Sequence, residues 1–86
     1  MSDAAANATV QRLRWRCRRG TRELDALFGN WLEERYASAT PTLQHAFADL
    51  LEQQDPDLWD WVMGRAAPER EEFRQIIDEI RARHRL

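Results

Sequence analysis

The chain has 86 residues, 43% of them hydrophobic and 33% charged, which allows one small core and argues against disorder or a fibrous repeat. A domain of this size buries only about 60% of the surface its unfolded chain exposes, so an enclosed substrate cavity with a second layer behind it is excluded and a binding module is favoured over an enzyme. The formal net charge of −2 conceals a segregation: six of the thirteen arginines fall between Arg12 and Arg22, fourteen of the fifteen acids fall between Glu23 and Glu79, and there is no lysine, which sets one basic patch on an acidic body.

Every segment between breakers carries helical rather than alternating periodicity. The expected fold class is therefore all-α, a compact five-helix bundle with residues 1–8 as a flexible N-terminus and residues 9–86 as a single helical domain. Val10, Leu13 and Cys17 stand at i, i+3 and i+7 of a first helix expected from about Thr9 to Arg19, with Gly20 as its left-handed C-cap. Leu24, Leu27, Phe28, Trp31, Leu32 and Tyr36 recur at threes and fours and form the stripe of a longer second helix, which tolerates Gly29 at a cost of about 1 kcal/mol relative to alanine.

Thr40 and Pro41 read as N-cap and first position of a third helix whose buried face is Leu43, Phe47, Leu50 and Leu51. Asp55 as cap and Pro56 as first position repeat that signal for a two-turn fourth helix, which holds Leu58, Trp59, Trp61 and Val62 and is closed by Gly64. Trp61 reads as core first, but Trp59 and Trp61 cannot both face one thin core, which leaves one of the pair to extend the contact surface. Pro68 opens the fifth helix; Phe73, Ile76, Ile77 and Ile80 form its core stripe, and Arg81, Arg83 and Arg85 suit the negative end of its dipole.

Nothing in the chain assembles a catalytic set. Ser2 and Ser38 fall in segments expected to be flexible, Cys17 lies on an apolar stripe, and the two histidines, His45 and His84, are distant in sequence, so no nucleophile has a base beside it. The histidines also lack the spaced partners of a zinc site. Glu33-Glu34, Glu71-Glu72 and Asp78-Glu79 are adjacent pairs, and adjacent helical positions diverge by about 100°, so neither member can share a proton with the other across a site. Three scattered glycines supply no phosphate-cradling loop. The expectation is a protein that is not an enzyme, with no catalytic residue, no metal and no cofactor of its own. Arginines on both sides of Cys17 would lower a thiol pKa, but its place beside Val10 and Leu13 reads as a small buried hydrophobe.

Trp15 falls roughly 160° from Cys17 on a helical wheel, among Arg12, Arg18 and Arg19, and should point outward. A tryptophan between arginines on a charged surface is the pairing most enriched in interface hot spots, with packing against a neighbouring helix as the alternative. The following corner reads Arg18-Arg19-Gly20-Thr21-Arg22-Glu23. A structural reading covers much of it: arginine suits a helix C-terminus, Thr21 caps the next helix, and an exposed Arg19–Glu23 pair contributes little. A docking reading covers it equally, since a guanidinium, a carboxylate and a tight turn form one polar contact point.

Arg19-Gly20-Thr21-Arg22-Glu23 matches the RGxxE signature of the SdhE (YgfY) family, also called succinate dehydrogenase assembly factors. Trp15-Arg16-Cys17-Arg18-Arg19-Gly20 before it, Glu23-Leu24-Asp25 after it, Tyr36 closing the next helix and Asp55-Pro56-Asp57-Leu58-Trp59-Asp60-Trp61 about thirty residues on extend the resemblance from about Gln11 to Arg83. The resemblance implies a five-helix assembly factor that binds the flavoprotein subunit of succinate dehydrogenase, and in bacteria that of fumarate reductase, and promotes attachment of FAD to a histidine of that subunit. The FAD then belongs to the client. Arg19, Gly20 and Glu23 match the family motif position for position, and Trp15 and Arg18 adjoin it, so these five are the expected partner-binding residues. Arg19 is expected to engage a client carboxylate or carbonyl, Glu23 to fix Arg19 or a client donor, and Gly20 to let the backbones approach closely.

Two other classes use the same features. An arginine-rich first helix with an outward tryptophan could grip RNA, and an antitoxin-like regulator could use it on a protein; the acidic remainder and the sequence pI near 5.6 count against nucleic acid. One cysteine forms no internal disulfide, no stretch approaches the roughly eighteen apolar residues of a membrane span, and Met1 to Thr9 contains Asp3 and no arginine, unlike a signal or transit peptide. Those observations lead us to expect a cytoplasmic, bacterial protein without a membrane partner.

Overall fold

The computed structural model describes residues 3–86, with side chains from residue 8 onward. Among the described residues the chain forms five α-helices and no strand: α1 (Asp3–Arg16), α2 (Arg22–Glu34), α3 (Pro41–Leu50), α4 (Asp55–Val62) and α5 (Glu71–His84), with a 3-10 turn at Tyr36–Ser38 after α2. The expected all-α bundle is therefore observed. Its radius of gyration is 12.4 Å, close to the roughly 12 Å of a compact chain of this length.

The apolar stripes meet as the periodicity requires. Helix α2 packs against α1, α4 and α5, and α5 also packs against α3 and α4, so α2 and α5 form the centre. Trp31 and Phe47 stack at 4.6 Å between ring centroids, with Phe28 at 6.4 Å from Phe47 and Tyr36 edge-on to Trp31. All of the Leu24 to Leu32 stripe, Leu43, Phe47, Leu50 and Leu51 of the third, and Phe73, Ile76, Ile77 and Ile80 of the last are buried. A polar tie joins α2 to α5: the Trp31 indole donates to Glu79 Oε1 at 2.9 Å, and Arg35 donates to the same carboxylate at 3.0 and 3.3 Å.

The caps at Thr21 and Thr40 form as expected, each hydroxyl accepting from the amide three residues on, that of Leu24 and of Leu43. Several boundaries differ. Helix α1 begins at Asp3 rather than near Thr9, consistent with the high helix propensity of Ala4 to Ala6, and it ends at Arg16 rather than Arg19. The expected flexible N-terminus, residues 1–8, lies almost wholly outside the residues whose side chains are described. Helix α2 stops at Glu34, and Tyr36 opens the 3-10 turn instead of closing the helix.

Asp55 is the first residue of α4 and Gln54 its N-cap, because the Asp55 carboxylate is directed elsewhere. Pro68 is buried in the loop before α5, whose N-cap is Arg70 and whose first turn carries Glu71 and Glu72 at the positive end of the dipole. The proline ring fills that loop instead of starting the helix. Gly64, as expected, follows the end of α4 in the left-handed region, at φ 77°. Trp59 and Trp61 are both half-buried, and Trp61 packs beside Phe73, so the tryptophan pair divides its exposure instead of sending one ring outward.

Candidate functional site

The corner between α1 and α2 is built by carboxylates that draw the backbone out of the helix. The Cys17 amide still donates to Leu13 O at 2.9 Å, and Arg18 donates to Trp15 O at 3.1 Å. The Arg19 amide instead donates to Asp25 Oδ1 of α2, and the Gly20 amide donates to Asp55 Oδ2 of α4 at 2.8 Å. Local side-chain acceptors of this kind compete with the helical ladder, and here they end it four residues before the glycine. Gly20 is accordingly not a left-handed cap; its φ lies outside that region.

Arg19 is turned inward, its side chain only 13% exposed. Its Nε donates to Asp55 Oδ1 at 2.8 Å, Nη1 to Arg16 O at 3.1 Å and to Leu51 O, and Nη2 to Gln53 O. The guanidinium thus sits on the carbonyl end of α3 while its carboxylate partner heads α4, two placements the helix dipoles favour. The expected pairing of Arg19 with Glu23 gives way to Asp55, 36 residues away in sequence. The Gly20 amide first, and then Arg19, hold the Asp55 carboxyl below its ordinary pKa.

The other expected residues face out. Trp15 is 70% exposed, and the Arg18 guanidinium lies over its ring at 5.0 Å from the centroid. Gln11, Arg14, Trp15 and Arg18 line a shallow concavity of about 280 Å³ along the end of α1 and the residues just after it, a dent rather than an enclosed ligand pocket. Arg14 is tied to Glu33 at 2.6 Å. Gly20 and Glu23 are exposed, and the Glu23 side chain makes no hydrogen bond or ion pair among the described residues. Trp15 and Arg18 are thus exposed beside each other, Gly20 and Glu23 are exposed further along the same corner of the chain, and Arg19 between them is turned inward.

Cys17 is 3% exposed, and burial pushes its thiol up to about 12 against the lowering pull of Arg19. It is a core residue. His45 is exposed and His84 half-buried, and among the described residues no group of three His, Cys, Asp or Glu side chains could hold a metal ion. Also among the described residues, no helix is long and apolar enough to cross a membrane. Asp25 and Asp55 are the corner residues that sequence reasoning missed as such: both fall in segments matching the family, but Asp55 reads as a helix start and Asp25 is given no role.

The family described as "Flavinator of succinate dehydrogenase" matches residues 11–84, the whole of this architecture from the middle of α1 to the end of α5. The chain belongs to that family. It is 44% identical over 70 residues to the FAD assembly factor SdhE of Coxiella burnetii, covering 81% of this chain and 85% of that one. It is 41% identical over 75 residues to that of Xylella fastidiosa, covering 87% and 77%, and 39% identical over 74 residues to that of Yersinia pseudotuberculosis, covering 86% and 84%. The family is one of assembly factors rather than catalysts, in keeping with the sequence resemblance and with the expectation that this is not an enzyme.

Proposed function

We propose that this chain is a cytoplasmic bacterial assembly factor that binds the flavoprotein subunit of succinate dehydrogenase and promotes covalent attachment of FAD to it, with the flavoprotein subunit of fumarate reductase as a second client. The observation that carries this reading is the family match across residues 11–84; the three relatives named above are bacterial proteins called FAD assembly factors. The assembly-factor unit in this reading is residues 9–86. The flavin is the client's, and the factor's contribution is positional.

The exposed residues Trp15, Arg18, Gly20 and Glu23 are assigned to the client, with the inward Arg19 supporting the corner that carries them. A large exposed indole under a guanidinium supplies an apolar anchor with a positive edge, suited to an acidic client surface that also offers an apolar residue. Glu23, free of internal partners among the described residues, is left for a client donor. Holding a flavin carbon against an imidazole turns a loose encounter into a near-attack arrangement, and orientation of this kind is worth several kcal/mol of a barrier.

The test is co-expression with the host's succinate dehydrogenase flavoprotein subunit, reading covalent flavin by in-gel fluorescence. Wild type should raise the signal, and Trp15→Ala and Glu23→Ala should lower it while remaining folded by circular dichroism. Equal covalent flavin with and without the factor, and no complex on a sizing column, would refute the reading.

A further inference from the structure

Asp55 lies outside the RGxxE stretch in sequence and inside it in space. Its two oxygens are divided between two successive residues of the corner, Oδ1 taking Arg19 Nε at 2.8 Å and Oδ2 taking the Gly20 amide at 2.8 Å. The amide of Arg19 is taken in turn by Asp25. Consecutive amides of the corner are therefore gripped by carboxylates from two different helices, α4 and α2. A β-carbon built on Gly20 would stand 3.1 Å from Asp55 Oδ2, so the glycine leaves room for this grip from its own chain. The remaining Arg19 donors bind carbonyls of Leu51 and Gln53, which ties the same corner to the end of α3.

We propose that Asp55 is a positioning residue for client docking: it sets the conformation of Arg19 and Gly20, and through them the spacing between the Trp15–Arg18 face and Glu23. Both of its oxygens already accept internal donors, so it acts through the corner rather than on the client. The five residues between α1 and α2, Cys17 to Thr21, would otherwise sample many conformations. Fixing them beforehand removes an ordering cost that the client would have to meet on binding. This inference rests on the docking reading above.

The experiment titrates the host's succinate dehydrogenase flavoprotein subunit into fluorescently labelled full-length factor, as wild type, Asp55→Ala, Arg19→Ala, the double variant and Glu79→Ala, with the thermal midpoint of each measured alongside. Asp55→Ala and Arg19→Ala should each weaken binding about tenfold, and the double variant should bind no more weakly than the weaker single, the non-additivity expected of residues acting as one unit. Glu79→Ala, which breaks the tie between α2 and α5 away from the corner, should lower the thermal midpoint and leave affinity unchanged. Binding of Asp55→Ala within twofold of wild type would overturn the proposal, as would losses that multiply in the double variant. Equal loss of affinity in a Glu79→Ala variant of matched stability would also overturn it, by assigning the effect to the bundle as a whole. Absence of binding by wild type itself would overturn the docking reading and the role of Asp55 together.

Discussion

Replacing Gly20 with alanine should change stability in opposite directions depending on what occupies position 55. Gly20 does not lie in the left-handed region, so alanine fits its backbone and, on that account alone, should stabilise by about 0.4–1 kcal/mol through the lower entropy of the unfolded chain. In the native background the new β-carbon meets Asp55 Oδ2 at 3.1 Å, and the carboxylate must retreat. That lengthens its bonds to the Gly20 amide and to Arg19. A charge-assisted hydrogen bond is worth about 1.5–3 kcal/mol, and with the Asp55 side chain 33% exposed a partial loss near 1–1.5 kcal/mol is reasonable. The net is a destabilisation of about 0.5 kcal/mol. In an Asp55→Ala background the clash is gone and the same substitution should stabilise by about 0.5 kcal/mol. Urea melts of the four proteins at pH 7 would read a difference of about 1 kcal/mol between backgrounds, or about 4–8 °C in thermal midpoint. The same sign and size in both backgrounds would refute the account of why glycine stands there.

Three further outcomes follow from the geometry. Gly64→Ala places a β-carbon at φ 77° and 2.6 Å from Arg81 Nη2, while Arg81 Nε holds Val62 O at 3.0 Å; it should cost about 2 kcal/mol and lower the thermal midpoint by about 10 °C, measured by calorimetry. The folded-state pKa of Asp55 is depressed, so its contribution is present above the unfolded value near 4 and is lost as pH falls through the lower folded value; Asp55→Asn should flatten the acid limb of a stability profile and leave its neutral-to-alkaline shape unchanged. Cys17, with its thiol pushed up to about 12, should resist iodoacetamide at pH 8 in the folded protein and react once urea unfolds it, as mass spectrometry would record.

The bundle was legible because its signals are local and periodic. The stripes of α2, α3 and α5 repeat every three or four residues, and Thr21 and Thr40 announce their helices within three positions of where they act. The outward direction of Trp15 was legible for the same reason: it leaves the apolar stripe of Val10, Leu13 and Cys17 on a wheel, and it is exposed. The inward side of the corner was not. The Arg19 guanidinium finds three of its four partners 32 to 36 residues away, and sequence order carries no mark of a carboxylate that folds back to meet it. The same long-range competition explains the misplaced end of α1 and the reading of Asp55 as a cap. Trp31 and Glu79, 48 residues apart, are another pair that only the packing brings together.

The inward Arg19 has a consequence for how this corner can vary over generations. Its guanidinium spends donors on Asp55, Leu51 and Gln53 in three directions, a span that lysine, with all its protons on one nitrogen, cannot reproduce. A lineage that lost its client would still be under pressure to keep an arginine at this position, because the junction of α3 and α4 is assembled on it. Constancy at Arg19 therefore reports on folding as well as on docking, whereas drift at Trp15 and Glu23, whose side chains hold no other helix in place, is where a change of client would first be written.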